Sequence, residues 1–132
     1  MDIRWQLFLY HIQNLTDEEL YWCFHEDGLQ VHHEHGEWRI DWPEHEDYSM
    51  GNLSIAWTLW HIKYWWTKTI YQCFYHEDVE KEAIKWNGSE SMIQDIIHLH
   101  DTWIGLISDM KDEEMQLDKK CCWQSRKRVS RT

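Results

Sequence analysis

Histidine is the residue type through which this sequence offers the most chemistry. Ten histidines are spread over 132 residues, and an imidazole can hold a transition metal or move a proton near neutral pH. One group is nearly contiguous, His32-His33-Glu34-His35, with His25 and His45 nearby. A polar loop of this kind can pick up a metal adventitiously or simply be solvated. His61 stands apart, among Trp57, Trp60, Tyr64 and Trp65, an apolar setting that favours the neutral imidazole a metal requires. It reads either as a satisfied core histidine or as a ligand. A ligand His61 would need two or three further nitrogen or carboxylate donors around Zn or Ni, with one position open if the site is catalytic. His11 and His100 are the candidates to supply them. His98 and His100 stand two apart, so on a helix they diverge, and His98 is expected at the surface.

Other chemistry is sparse. Glu18, Glu19, Glu34, Glu44 and Glu46 are general-base material, but no spacing brings a pair to one site. There is no G-x-S-x-G, P-loop, H-E-x-x-H or dinucleotide fingerprint, and no catalytic residue is assigned. Cys23 and Cys73 stand alone and Cys121 adjoins Cys122, so no C-x-x-C pair is available for a zinc ribbon and four free thiols are expected. The first ten residues carry Asp2 and Arg4 without a long apolar core, which points to a cytoplasmic protein.

Charge is distributed unevenly. All 24 acidic residues and seven basic ones fall before residue 119, a balance of 7 minus 24, or −17. Lys119, Lys120, Arg126, Lys127, Arg128 and Arg131 then make a tail with no acid. A body this negative repels phosphate backbones, so no nucleic-acid partner is expected.

These side chains must be positioned by helices, since one Pro and five Gly against 11 Trp favour long uninterrupted helices over turn-rich sheet. Apolar spacing predicts a first helix over about 2–14. Thr16-Asp17-Glu18-Glu19 matches a capping box that starts another helical turn running to about Phe24. Residues 25–50, punctuated by Gly28, Gly36 and Pro43, read as a long loop with a short strand or turn near Trp38–Trp42. Leu53–Tyr75 lacks Gly and Pro and can be capped by Asn52 or Ser54, predicting a second long helix. Its apolar residues surround it nearly completely, so neighbours must cover it, and Lys63 and Lys68 in its middle exclude a membrane span. Trp at helical spacing reads as core. Asn87-Gly88-Ser89-Glu90 starts a third long helix whose face runs from Met92 through His100 to Met110. Long helices of this kind imply an antiparallel bundle, usually of four.

Two stretches carry a resemblance: Leu15-Thr-Asp-Glu-Glu-Leu20 and especially Ser54-Ile-Ala-Trp-Thr-Leu-Trp-His61-Ile. With the intervening loop they resemble the DinB/YfiT-like family of metalloenzymes over residues 3–123. The resemblance implies an all-α, antiparallel four-helix bundle domain over 1–123. It also implies a divalent metal, Zn or Ni, with His61 as the second-helix ligand and other ligands from the fourth helix. It suggests a small-molecule or thiol substrate, as in thiol-dependent transferases, or a metal-dependent hydrolase ancestry. The alternative is a non-catalytic helical binding or assembly module that has lost the metal. After Trp123 the sequence departs from the family, because the basic tail 124–132 is too short and polar for a fourth helix. That helix is therefore expected to be short or missing, with a truncated or altered-frame ending. A missing helix would expose about six large side chains, each worth about 1.5–3 kcal/mol of burial. A homodimer is expected to cover them.

Overall fold

The computed structural model describes residues 2–23, 28–42 and 52–110. The expected fourth helix, the tail 124–132, Phe24, His25, Glu44, His45, Glu46, Cys121 and Cys122 lie outside the described residues.

The first long segment forms α1, Ile3–Gln13, capped by the Asp2 carboxylate accepting from the Arg4 backbone N–H. The capping box forms as its spacing predicts and starts α2, Asp17–Tyr21. The Glu19 N–H donates to the Thr16 hydroxyl at 3.2 Å, and the Glu19 carboxylate accepts from the Thr16 N–H at 3.2 Å. Chain direction changes at Trp22, which is extended, so the turn ends earlier than expected.

The all-helical expectation needs correcting at residues 31–40. Val31–Glu34 is a strand, β1, paired in antiparallel register with β2, Glu37–Ile40. The turn between them has φ of 53° at His35 and 78° at Gly36, the left-handed pair that a tight two-residue hairpin demands. Directly opposite residues reinforce it, since the His33 ring stacks on Trp38 with centroids 4.3 Å apart. The alternation is hidden in the sequence because histidines occupy both faces.

The second long helix is α3, Ile55–Ile70, started by the Ser54 side chain accepting from the Trp57 N–H. It continues as a π-helical turn over Tyr71–Tyr75 and stops at His76, whose φ of 54° reverses the chain. Leu53 lies outside the helix and bridges to Leu29. After a short 3₁₀ turn at Lys81–Ala83, Gly88 opens α4, Ser89–Ser108.

The pairing of α3 with α4 is parallel, which corrects the antiparallel expectation. Lys63 meets Asp95 at 2.8 Å, and about three turns after Lys63 and two turns after Asp95, Phe74 packs on Trp103 with ring centroids 5.8 Å apart. Both helices therefore advance together. The segment 76–88 makes this geometry accessible, for an extended stretch of that length spans up to about 45 Å, more than the about 31 Å of α3 and its π turn. It runs back along α3 and is fastened by Trp60 Nε1 donating to the Ile84 carbonyl at 2.9 Å and Lys63 Nζ donating to the Lys85 carbonyl at 3.0 Å. Helix α1 runs the opposite way: Trp5 near its start stacks on His100 at 3.8 Å, and Ile12 near its end lines a cavity with Ile93.

The core collects where these elements meet. Ala56, Trp57, Trp60, Met92 and Ile96 are each at most 2% exposed, and Leu20, Val31, Ile84 and Trp86 close the same cluster. Helix α1 contributes Trp5, Phe8 and Ile12 inward, while Ile3, Leu7 and Tyr10 stay more than half exposed on its other side.

Candidate functional site

Helix α3 places His61 one turn after Trp57 and one turn before Trp65, the two spacings at which helical side chains meet. The imidazole stacks on Trp57 with centroids 4.7 Å apart. Trp65 Nε1 donates a hydrogen bond to His61 Nε2 at 2.7 Å. That bond occupies the Nε2 lone pair and places any ring proton of a neutral imidazole on Nδ1. Half-buried between two indoles, His61 is fixed in orientation by residues of its own helix.

The histidines proposed to join it do not. His100 belongs to a different neighbourhood, stacked on Trp5, hydrogen-bonded to Asp101 at 3.2 Å and lining a cavity of about 190 Å³ with Trp66, Thr69 and Trp103. Trp66 and His61 point about 140° apart around α3, so the side of the helix that faces His100 is not the side that carries His61. His11 is exposed and meets the edge of Tyr10. His98 is at the surface, as its spacing predicts. Among the described residues no three His, Cys, Asp or Glu side chains converge as a metal would require. At His61 the Nε2 accepts from Trp65, and the fourth-helix positions from which the resemblance draws the other ligands lie outside the described residues.

The His32-His33-Glu34-His35 run is also dispersed, for a structural reason: neighbouring residues on a strand point to opposite faces. His33 goes to Trp38, whereas His32 Nε2 meets the Asp41 carboxylate at 2.9 Å. Asp41 was not singled out by sequence, yet it joins several elements. Its carboxylate accepts from Arg39 at 2.9 Å and from the Gln30 backbone N–H at 3.1 Å, and its carbonyl accepts from Trp57 Nε1 at 2.7 Å. Burial by itself would raise the Asp41 carboxyl, but the hydrogen bonds from His32 and Gln30 and the nearby Arg39 hold it below the ordinary carboxylate range. No local motif in the sequence marks such a hub, because its partners come from the strand ends and from α3.

Among the described residues the free thiol is Cys23, a half-buried cysteine whose Sγ lies 3.7 Å from the Asn52 carbonyl. Cys73 is disulfide-bonded, which corrects the expectation of free thiols throughout. No described helix is long and apolar enough to cross a membrane.

Parallel α3 and α4, a returning segment between them and an antiparallel α1 define a mostly helical domain with a small β-hairpin. The sequence model of the DinB superfamily matches residues 1–127, and the chain belongs to that superfamily. No curated protein and no solved structure matches it significantly.

Proposed function

We propose that this DinB-superfamily chain is a helical binding module that does not work as a metalloenzyme through His61. The observation that carries this reading is the 2.7 Å hydrogen bond from Trp65 Nε1 to His61 Nε2. It engages the atom a metal would take, and the ring is held there from both sides by its own helix. Losing that bond and desolvating a metal would have to be repaid by several ligands at once, and His11 and His100 face elsewhere.

A second reading keeps the superfamily's metal, Zn or Ni, on His61 with a thiol or other small molecule as substrate, in a transferase or hydrolase. What favours it is the place of His61 in the stretch Ser54–Ile62 and the unprotonated Nε2 that accepting from Trp65 requires. Elemental analysis of untagged protein prepared without added metal separates the two. The binding-module reading expects less than about a tenth of an equivalent of Zn or Ni, unchanged in His61→Ala. One equivalent, lost in His61→Ala, establishes the second reading.

For assembly we propose an isologous homodimer through α1. Ile3, Leu7 and Tyr10 recur at helical spacing and are 68%, 53% and 64% exposed, and an apolar stripe on one helix can cover its own copy across a twofold axis.

A further inference from the structure

An aromatic-lined cleft lies away from His61. Between β2 and the returning segment lies a cleft of about 620 Å³, within the range of small-molecule sites. Buried Trp60 and Trp86 form its floor, and half-buried Trp38 and Trp42 form its walls. The floor indoles are already satisfied, Trp60 by the Ile84 carbonyl and Trp86 by the Tyr21 hydroxyl. The Trp38 and Trp42 indole N–H groups make no hydrogen bond among the described residues.

Five charged residues border the cleft: Arg39, Lys81, Lys85, Glu37 and Glu82. Three of the seven basic residues that precede residue 119 are thus gathered here, in a body that carries −17. Arg39 is committed to Asp41 and Glu34, and Lys85, Glu37 and Glu82 are exposed. Lys81 is the half-buried one. Its ammonium has no carboxylate partner among the described residues and rests instead over the Trp42 ring, 4.6 Å from the centroid. A cation on an indole face is a weak pairing at a partly exposed site, worth about 0.5–1 kcal/mol. A carboxylate brought against a partly desolvated ammonium makes a stronger, charge-assisted bond.

We infer that this cleft binds small planar aromatic carboxylates, the ring lying on the Trp42 face that Lys81 now covers and the carboxylate pairing with Lys81. An aromatic cation is disfavoured on the Trp42 face, where its charge would meet Lys81 rather than Glu37 or Glu82 at the border of the cleft. The inference is independent of His61 and of any metal.

The test is calorimetric titration of the full chain with indole-3-acetate, indole and tryptamine, which share a ring and differ in charge. Saturable binding of indole-3-acetate is expected, at least about fivefold tighter than indole and with tryptamine weakest. Lys81→Gln, which removes the charge and shortens the side chain by one atom, should bring indole-3-acetate down to the affinity of indole, while Lys68→Gln, outside the cleft, should leave the series unchanged. Both variants are to be compared by circular dichroism and thermal midpoint, so that loss of fold is separable from loss of the charge. Tryptamine binding as tightly as indole-3-acetate, an unaltered Lys81→Gln, or no saturation by roughly 10 mM indole-3-acetate overturns the proposal.

Discussion

Trp65 Nε1 donates to His61 Nε2 at 2.7 Å, one turn apart on α3. The relationship is local, yet it decides what the histidine can do, because the lone pair that would bind a metal is the one that accepts the indole proton. Replacing Trp65 by Phe keeps most of the ring and removes the donor. The expected cost is about 1 kcal/mol, read as a shift in the urea midpoint. The same variant frees Nε2, so weak uptake of Ni or Zn should appear in Trp65→Phe before it appears in the parent.

Trp57 links α3 to the hairpin through its Nε1 bond to the Asp41 carbonyl, and its side chain is fully buried. Trp57→Phe leaves a gap and an unpaired carbonyl. A loss of about 2–4 kcal/mol is expected, a large part of a typical domain stability of about 5–15 kcal/mol. Urea unfolding followed by far-ultraviolet circular dichroism checks it.

Lys63 fastens three segments, since its ammonium meets both Asp95 on α4 and the Lys85 carbonyl of the returning segment. Lys63→Ala should destabilise by about 1–3 kcal/mol and raise amide exchange selectively in 84–88. Equal exchange across the whole chain would show that the lysine does not hold that segment.

The pH dependence follows from three kinds of group. Burial would raise Asp41, but its hydrogen bonds with His32, Gln30 and Arg39 win and lower it; Asp78 is likewise lowered, its burial outweighed by Gln72, Lys68 and the Val79 N–H. A carboxyl lowered on folding stabilises above its unfolded value of about 3.9 and loses that contribution as pH falls through the folded value. Burial raises the Tyr21 hydroxyl, with Asp17 adding to it against the Trp86 bond. Burial lowers Lys68, yet Tyr64 and Asp78 more than compensate and raise it. A raised tyrosine favours unfolding once the unfolded phenol ionises, and a raised lysine loses its contribution as pH rises through its folded value, both above about pH 10. Thermal midpoints should therefore fall below about pH 4 and above about pH 10, and Asp41→Asn should flatten the acid limb.

Leu7→Glu places a charge in the middle of the exposed α1 stripe. If α1 pairs with its own copy, sedimentation equilibrium should show a dimer for the parent and a monomer for the variant, with thermal midpoints differing little at low concentration. A parent that sediments as a monomer at micromolar concentration contradicts the pairing.

How much of this was legible in the sequence depends on the range of the interaction concerned. The Thr16–Glu19 capping box, the Ser54 start of α3 and the start of α4 near Gly88 are local, and each is found where its spacing puts it. The hairpin was partly concealed, because His32 and His33 look alike in sequence while facing opposite sides. The parallel course of α3 and α4 was not legible, since a connection long enough to return along a helix is also long enough to turn simply. His61 was legible as a residue in an aromatic setting. That Trp65 rather than another histidine would meet its nitrogen was not, because the i and i+4 partners include both Trp57 and Trp65 and only the geometry separates a stacked ring from a donor.

The most direct measurement is a nitrogen-15 spectrum of the imidazole rings during titration with Zn²⁺, compared between the parent and Trp65→Phe. The account predicts that His61 keeps its proton on Nδ1 with Nε2 hydrogen-bonded, and that one equivalent of Zn²⁺ leaves the parent's Nε2 resonance in place. Movement of that resonance to a metal-bound position at one equivalent in the parent would contradict it.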